Sequence, residues 1–256
     1  MTTIKSEKNQ HLLNLSKIFM GYLPAGYPDK SSFLELPELC CKNGMDIVEV
    51  GFPSKNPFAD GEIIRQAHSV IDHSLSTDIN YWRLIRESCS NPLWIMGYRE
   101  DLVESGMYLK LAQEGLVDAF VIPDNDEDSF DNMQKQLAPL NVDMIRFLRP
   151  SCTEEEIRKC FQNSALVYYQ LFEGTTGSTK AADSFTEVLS IASEYSHLRI
   201  LAGFGINSPN QAESLVNAGF DGFIIGTAMV RELNKSVQSL LNFVEQFNYK
   251  ARRASA

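Results

Sequence analysis

The chain has 256 residues, 33 acidic against 23 basic side chains and a net charge of −10, so a broad phosphate-backbone contact surface and a nucleic acid partner are not expected. That length can bury a substantial core. The longest apolar stretches, Ala119 to Pro123 and Gly222 to Ile225, are far too short to cross a bilayer, so no membrane association is expected.

From the N-terminus, Lys5 and Lys8 stand among polar residues without the apolar core and small-residue cleavage pattern of a secretory signal; a cytoplasmic protein is expected. Eight short apolar runs then read as strands, centred on Ile18–Tyr22, Ile47–Gly51, Leu93–Tyr98, Ala119–Ile122, Met144–Leu148, Leu166–Leu171, Ile200–Ala202 and Phe223–Ile225. Between them Ser31–Asn43, Gly61–Ser74, Gly106–Glu114, Ser129–Leu137, Thr153–Gln162, Ser184–Tyr195 and Ser208–Asn217 read as helices, several opened by Ser, Thr or Asp caps. Strict alternation of strand and helix is the signature of β/α units around a parallel sheet, and a count of eight suits a closed (β/α)8 TIM barrel; an open doubly wound sheet shows the same alternation. No linker or composition break divides the chain, so one domain over 1–256 is expected. Cys40, Cys41, Cys89, Cys152 and Cys160 form an odd set without a C-x-x-C pair, and four scattered histidines have no ligand spacing. Buried reduced thiols and no metal site are the expectation.

In either architecture the chemistry belongs at the C-terminal ends of the strands. Period-two alternation in the second strand puts Ile47 and Glu49 on one face and Val48 and Val50 on the other. The valine face suits packing under helices, which turns Glu49 into the barrel, where burial raises its pKa toward the range a general acid or base needs. A structural ion pair is the plainer alternative for such a carboxylate. The following loop, stiffened by Pro53 and Pro57, brings a second carboxylate, Asp60, just before a helix; there it reads as an N-cap or as a ligand contact. Glycines recur after the last three strands, as Gly174-Thr175-Thr176-Gly177, Gly203-Phe204-Gly205 and Gly226-Thr227. Backbone N–H groups unscreened by side chains in those loops suit a phosphate.

These pieces together resemble the tryptophan synthase α-subunit family over nearly the whole chain. The resemblance rests on Ala25-Gly26-Tyr27-Pro28, on Glu49-Val50-Gly51-Phe52-Pro53 continuing to Pro57-Phe58-Ala59-Asp60-Gly61, on Gly203-Phe204-Gly205-Ile206 and on Gly226-Thr227. It implies a TIM barrel that performs the retro-aldol cleavage of indole-3-glycerol phosphate to indole and glyceraldehyde 3-phosphate. Glu49 then matches the proton-transfer residue and Asp60 the residue that holds the indole N–H. Tyr168 matches a tyrosine beside the substrate, Phe204 an aromatic wall of the indole pocket, and Gly177, Gly205, Gly226 and Thr227 the phosphate site. The resemblance further implies no cofactor in this subunit and a pyridoxal-phosphate β subunit as partner, in an α2β2 complex, contacted around Pro53, Asn56 and Pro57.

The sequence departs from the family in its loops. Ser54-Lys55-Asn56-Pro57 replaces the usual Phe-Ser-Asp-Pro, which removes an acidic contact residue. Leu171-Phe172 followed by Glu173 stands in place of Ser-Arg, Arg99-Glu100-Asp101 in place of Tyr-Asn-Pro, and Asp124-Asn125-Asp126 in place of Asp-x-Pro. Strand five carries Arg146 and Arg149 where apolar or small residues are usual. Weakened closure over the phosphate is expected from these changes, and the competing reading is a chain of impaired catalysis that serves mainly as the allosteric partner of its β subunit. A third reading, a sugar-phosphate isomerase on the same scaffold, has no account of the segment from Glu49 to Asp60.

Overall fold

The structure, a computed structural model, describes residues 4–172, 174 and 185–253. Eight parallel strands close into a barrel in chain order: β1 (Ile18–Pro24), β2 (Ile47–Gly51), β3 (Leu93–Met96), β4 (Ala119–Val121), β5 (Asp143–Leu148), β6 (Leu166–Gln170), β7 (Arg199–Gly203) and β8 (Gly222–Ile225). Closure is made by β1 and β8, with Ile18 opposite Gly222 and Gly21 opposite Ile225. The open doubly wound alternative is thereby removed, because β1 would then end as an edge or pair only inside the sheet.

Two apolar layers follow from the pleat. Side chains from alternate positions, among them Ile18, Met20, Ile47, Trp94, Val121, Ile145, Leu201 and Ile224, fill the interior of the barrel. Their neighbours on the same strands, such as Val48, Val50, Ile95, Val167 and Phe223, meet the helices outside. Burial on both faces explains why the strands read as continuous apolar runs rather than as clean alternation.

All eight expected strands form, and the expected helices form with shifted limits. The 31–43 segment divides into Lys30–Phe33 and Leu36–Lys42, the second opening with Pro37 in its first turn, where a missing N–H costs no bond. Thr153 caps Glu154–Gln162 through a reciprocal bond with Glu156, a capping box legible in the sequence. Several helices went unread: Glu7–Leu12, Ile79–Glu87, Arg99–Leu102, Thr227–Leu233 and the long Val237–Arg253. The last had a signal, since Leu240, Val244 and Phe247 recur at helical spacing and are all fully buried.

Glu7–Leu12 stoppers the N-terminal end of the barrel. Leu12 joins the interior cluster, and the Asn9 side chain donates to Asp118 O at 3.0 Å and Asp143 Oδ2 at 2.9 Å while accepting from Trp94 Nε1 at 2.8 Å. With that end sealed, access to the interior is left to the C-terminal strand ends. Among the described residues no helix is long and apolar enough to cross a membrane. Cys40, Cys89 and Cys160 are buried, Cys41 and Cys152 half-buried, and all five are free thiols.

Candidate active site

At the C-terminal end of the barrel a cleft of about 640 Å³ lies over β1, β2, β6, β7 and β8, with Glu49, Asp60, Tyr168, Phe204, Gly205, Gly226 and Thr227 all in its lining. Seven of the eight proposed chemical residues therefore converge; the eighth, Gly177, lies outside the described residues, as do Thr175, Thr176 and Glu173.

Glu49 points inward from β2 as alternation requires and is 1% exposed. Among the described residues its Oε1 has no hydrogen-bond partner, which does not fit the plainer reading of a structural ion pair. Burial, reinforced by the nearby Asp60 charge, pushes its carboxyl up to about 8, so the group holds its proton at neutral pH.

Asp60 does not cap the helix that follows. Gly61 occupies the cap position before Glu62–Val70, and Asp60, one residue earlier, lines the cleft. There it is buried and accepts from Tyr98 Oη at 2.7 Å. The sequence carries a signal for Tyr98, a tyrosine that closes the apolar run Leu93–Tyr98 one residue before the altered Arg99-Glu100-Asp101. Tyr98 is held against Phe58, with ring centroids 4.6 Å apart.

The opposite wall is aromatic. Tyr168 on β6 packs against Phe147 and Phe204, with centroids at 5.0 and 6.1 Å, and Phe204 meets Phe147 edge-on at 5.7 Å. Phe204 reaches this place through a left-handed backbone at φ 74°, followed by Gly205 also at φ 74°. A bulky residue in that region is strained, and such strain gathers where a side chain or peptide must be aimed at a ligand. Gly203 beneath is required by its neighbour, since a Cβ there would sit 2.5 Å from the Tyr168 ring. Gly205, Ile206 and Asn207 after β7, and Gly226, Thr227 and Ala228 after β8, complete the lining, and the two glycines carry no side chain to screen a main-chain N–H.

The altered loops turn out to pair with each other. The Arg99 N–H donates to Asp124 Oδ1 at 3.1 Å, and its guanidinium pairs with Asp126, joining the loops after β3 and β4. Arg146 faces away from the barrel interior, over the Phe130 ring at 4.0 Å and in ion pairs with Glu127 and Asp131; Arg149 donates to Pro123 O. Both arginines tie β5 to its surroundings rather than enter the cleft. Leu171 is buried in the outer core and Phe172 packs on it. Of the expected subunit-contact residues, Asn56 is exposed and Pro57 half-buried, whereas Pro53 is buried beneath the loop.

The model of the family described as tryptophan synthase alpha chain matches residues 9–256. Among curated relatives, the tryptophan synthase alpha chain of Chlamydia felis is 30% identical over 251 residues, covering 91% of this chain and 95% of its own. That of Methanopyrus kandleri is 28% identical over 225 residues, covering 85% of this chain and 81% of its own. In three dimensions a chain of tryptophan synthase from Mycobacterium tuberculosis superposes with a TM-score of 0.82 at 23% identity, covering 96% of this chain and 98% of that one. Tryptophan synthase subunit alpha from Legionella pneumophila gives 0.79 at 21% identity, covering 96% and 98%. The structural likenesses at this identity speak for the fold.

Proposed function

The chain belongs to the tryptophan synthase alpha chain family, and from that premise we propose how its own residues perform the family's reaction. The enzyme is a lyase of tryptophan biosynthesis that cleaves indole-3-glycerol phosphate to indole and glyceraldehyde 3-phosphate. The bond between indole C3 and the carbinol carbon breaks heterolytically only when C3 has gained a proton, because the resulting iminium accepts the bonding electrons. The observation that supports the role of Glu49 is its unpartnered, protonated carboxyl inside the cleft. Glu49 donates to C3; the carboxylate it leaves takes the carbinol proton as the aldehyde forms, and the acid is restored. Asp60, kept in place by Tyr98, accepts the indole N–H and stabilises the positive charge that develops on the ring. Tyr168 and Phe204 hold the indole plane, and the N–H groups of Gly205, Gly226 and Thr227, together with Gly177, receive the phosphate.

The electron sink is the indole ring itself, so the reaction asks for no cofactor in this subunit. Exposed Lys55, Asn56 and Phe58, with Pro57, offer a docking face after β2 to a pyridoxal-phosphate β subunit in an α2β2 complex. A cytoplasmic setting suits five free thiols. The competing reading, a catalytically impaired chain kept for allosteric activation, draws no support from the described residues, since Glu49 and Asp60 both occupy the cleft. Indole release from indole-3-glycerol phosphate, with and without the β subunit, tests the proposal. Release by the chain alone, enhanced by the β subunit, is the expected result; β-subunit activation without any indole release transfers the chain to the competing reading.

A further inference from the structure

Next to Glu49 the cleft holds a hydroxyl that the reaction above does not use. Tyr22 on β1 is the register partner of Glu49 on β2, so both side chains enter the barrel side by side. Its ring lies over Gly51, where a Cβ would come within 2.1 Å of Tyr22 Oη; the glycine makes room for this hydroxyl. Tyr22 Oη is 3.1 Å from His68 Nε2, and the other ring nitrogen of His68, Nδ1, accepts the Ser54 N–H at 3.3 Å.

The direction of these bonds follows from one fact: a peptide N–H can only donate. His68 Nδ1 is therefore unprotonated. The ring is 3% exposed, and burial, with His73 nearby, lowers its pKa to about 4, so it is neutral and carries its single proton on Nε2. His68 Nε2–H then donates to Tyr22 Oη, which leaves the phenolic proton to be donated elsewhere. Among the described residues no acceptor receives it. Burial and the facing Asp60, Tyr98, Glu49 and Tyr168 hold the phenol well above its ordinary pKa, so that proton stays in place. The cleft thus contains a fixed, unused donor beside an acid with an unpartnered oxygen.

We propose that Tyr22 is a further substrate-binding residue, its hydroxyl aimed by His68 as a hydrogen-bond donor to the carbinol oxygen of the glycerol phosphate chain. This rests on the reading of the site as an indole-3-glycerol phosphate lyase. Of the substrate's polar groups, the indole N–H cannot accept and is assigned to Asp60, and the phosphate belongs to the glycine loops. The carbinol oxygen is two bonds from the carbon that Glu49 must protonate, which puts it beside Glu49 and hence beside Tyr22. A donor there serves both states, because the oxygen accepts as an alcohol and accepts more strongly as it becomes the aldehyde carbonyl. His68 acts as a positioning residue: it spends one lone pair of the phenol oxygen and thereby turns the O–H toward the substrate.

The test compares two ligands on the full chain: indole-3-glycerol phosphate and indole-3-propanol phosphate, which lacks the chain hydroxyls. Tyr22→Phe should lower kcat/KM for the first about tenfold and change the Kd of the second less than twofold. His68→Leu should reproduce most of that loss, His68→Gln should recover part of it through its amide donor, and Tyr22→Phe/His68→Leu should be no worse than Tyr22→Phe alone. Thermal midpoints within a few degrees of wild type accompany these results. Wild-type kcat and KM in Tyr22→Phe, or equal weakening of both ligands, overturns the assignment of Tyr22. A wild-type chain that binds neither ligand overturns the reading of the site itself.

Discussion

Each end of the barrel buries a pair of carboxylates, and the two pairs are treated in opposite ways. At the N-terminal end Asp118 accepts from Ser6 Oγ at 2.8 Å, Leu93 N at 2.8 Å and Arg86 Nη1 at 2.7 Å, while Asp143 accepts from Lys5 N, Ser6 N and Asn9 Nδ2. At the C-terminal end Glu49 Oε1 meets no donor among the described residues. Burial alone therefore does not mark a catalytic acid. A carboxylate surrounded by donors is a fastening for the stopper helix and the strand ends, and its loss is felt in stability. One left short of donors, in a cleft at the C-terminal strand ends, is costly to the folded chain and persists where chemistry uses it.

The largest expected effect that separates the two ends is on rate. Glu49→Gln keeps the shape of the side chain but cannot transfer the proton, and should lower kcat for indole release by about 10²- to 10⁴-fold. It should at the same time stabilise the fold. A carboxyl raised from 4.5 to about 8 on folding contributes stability that is fully present below the lower value and is lost as pH rises to the upper one. Wild type is therefore penalised at neutral and alkaline pH, and Glu49→Gln is not; the difference in unfolding free energy should grow from pH 5 to pH 8, to on the order of 4 kcal/mol. In the same window kcat/KM of the wild type should fall as pH passes about 8, where Glu49 loses the proton it must donate. A flat profile through pH 9 removes Glu49 as the acid.

Asp118→Ala should show the reverse pattern. It removes the acceptor of Arg86 Nη1, Ser6 Oγ and the Leu93 N–H, and should cost about 3 kcal/mol, read as a fall in thermal midpoint on the order of 10 °C. Turnover by the molecules that remain folded should be near wild type. If turnover collapses while the midpoint holds, the division between a fastened end and a working end is wrong.

The smallest effect sharpens the working end. Tyr98→Phe removes one hydrogen bond to the Asp60 carboxylate and should reduce kcat/KM for indole-3-glycerol phosphate about tenfold, with little change in midpoint. An unchanged rate makes Tyr98 a packing partner of Phe58 only.

Much of this was legible along the chain because it depends on local periodicity. Alternation over Ile47–Gly51 placed Glu49 inside the barrel without reference to any other strand, and the Thr153–Glu156 capping box marked its helix by spacing alone. The acidic pair Glu49 and Asp60 was visible since both stand within one βα unit. What the sequence could not decide depends on residues brought together by barrel closure. Whether Asp60 capped a helix or faced a ligand turned on Tyr98, 38 positions away just past the next strand. The aim of the Tyr22 hydroxyl turned on His68, 46 positions away, and on the peptide of Ser54. The fates of Arg99 and Arg146 turned on Asp126, Glu127 and Asp131 across neighbouring strands and helices. Periodicity tells which way a side chain leaves its own backbone; it takes the closed barrel to say which groups it meets there, and hydrogen-bond direction and pKa are properties of that meeting.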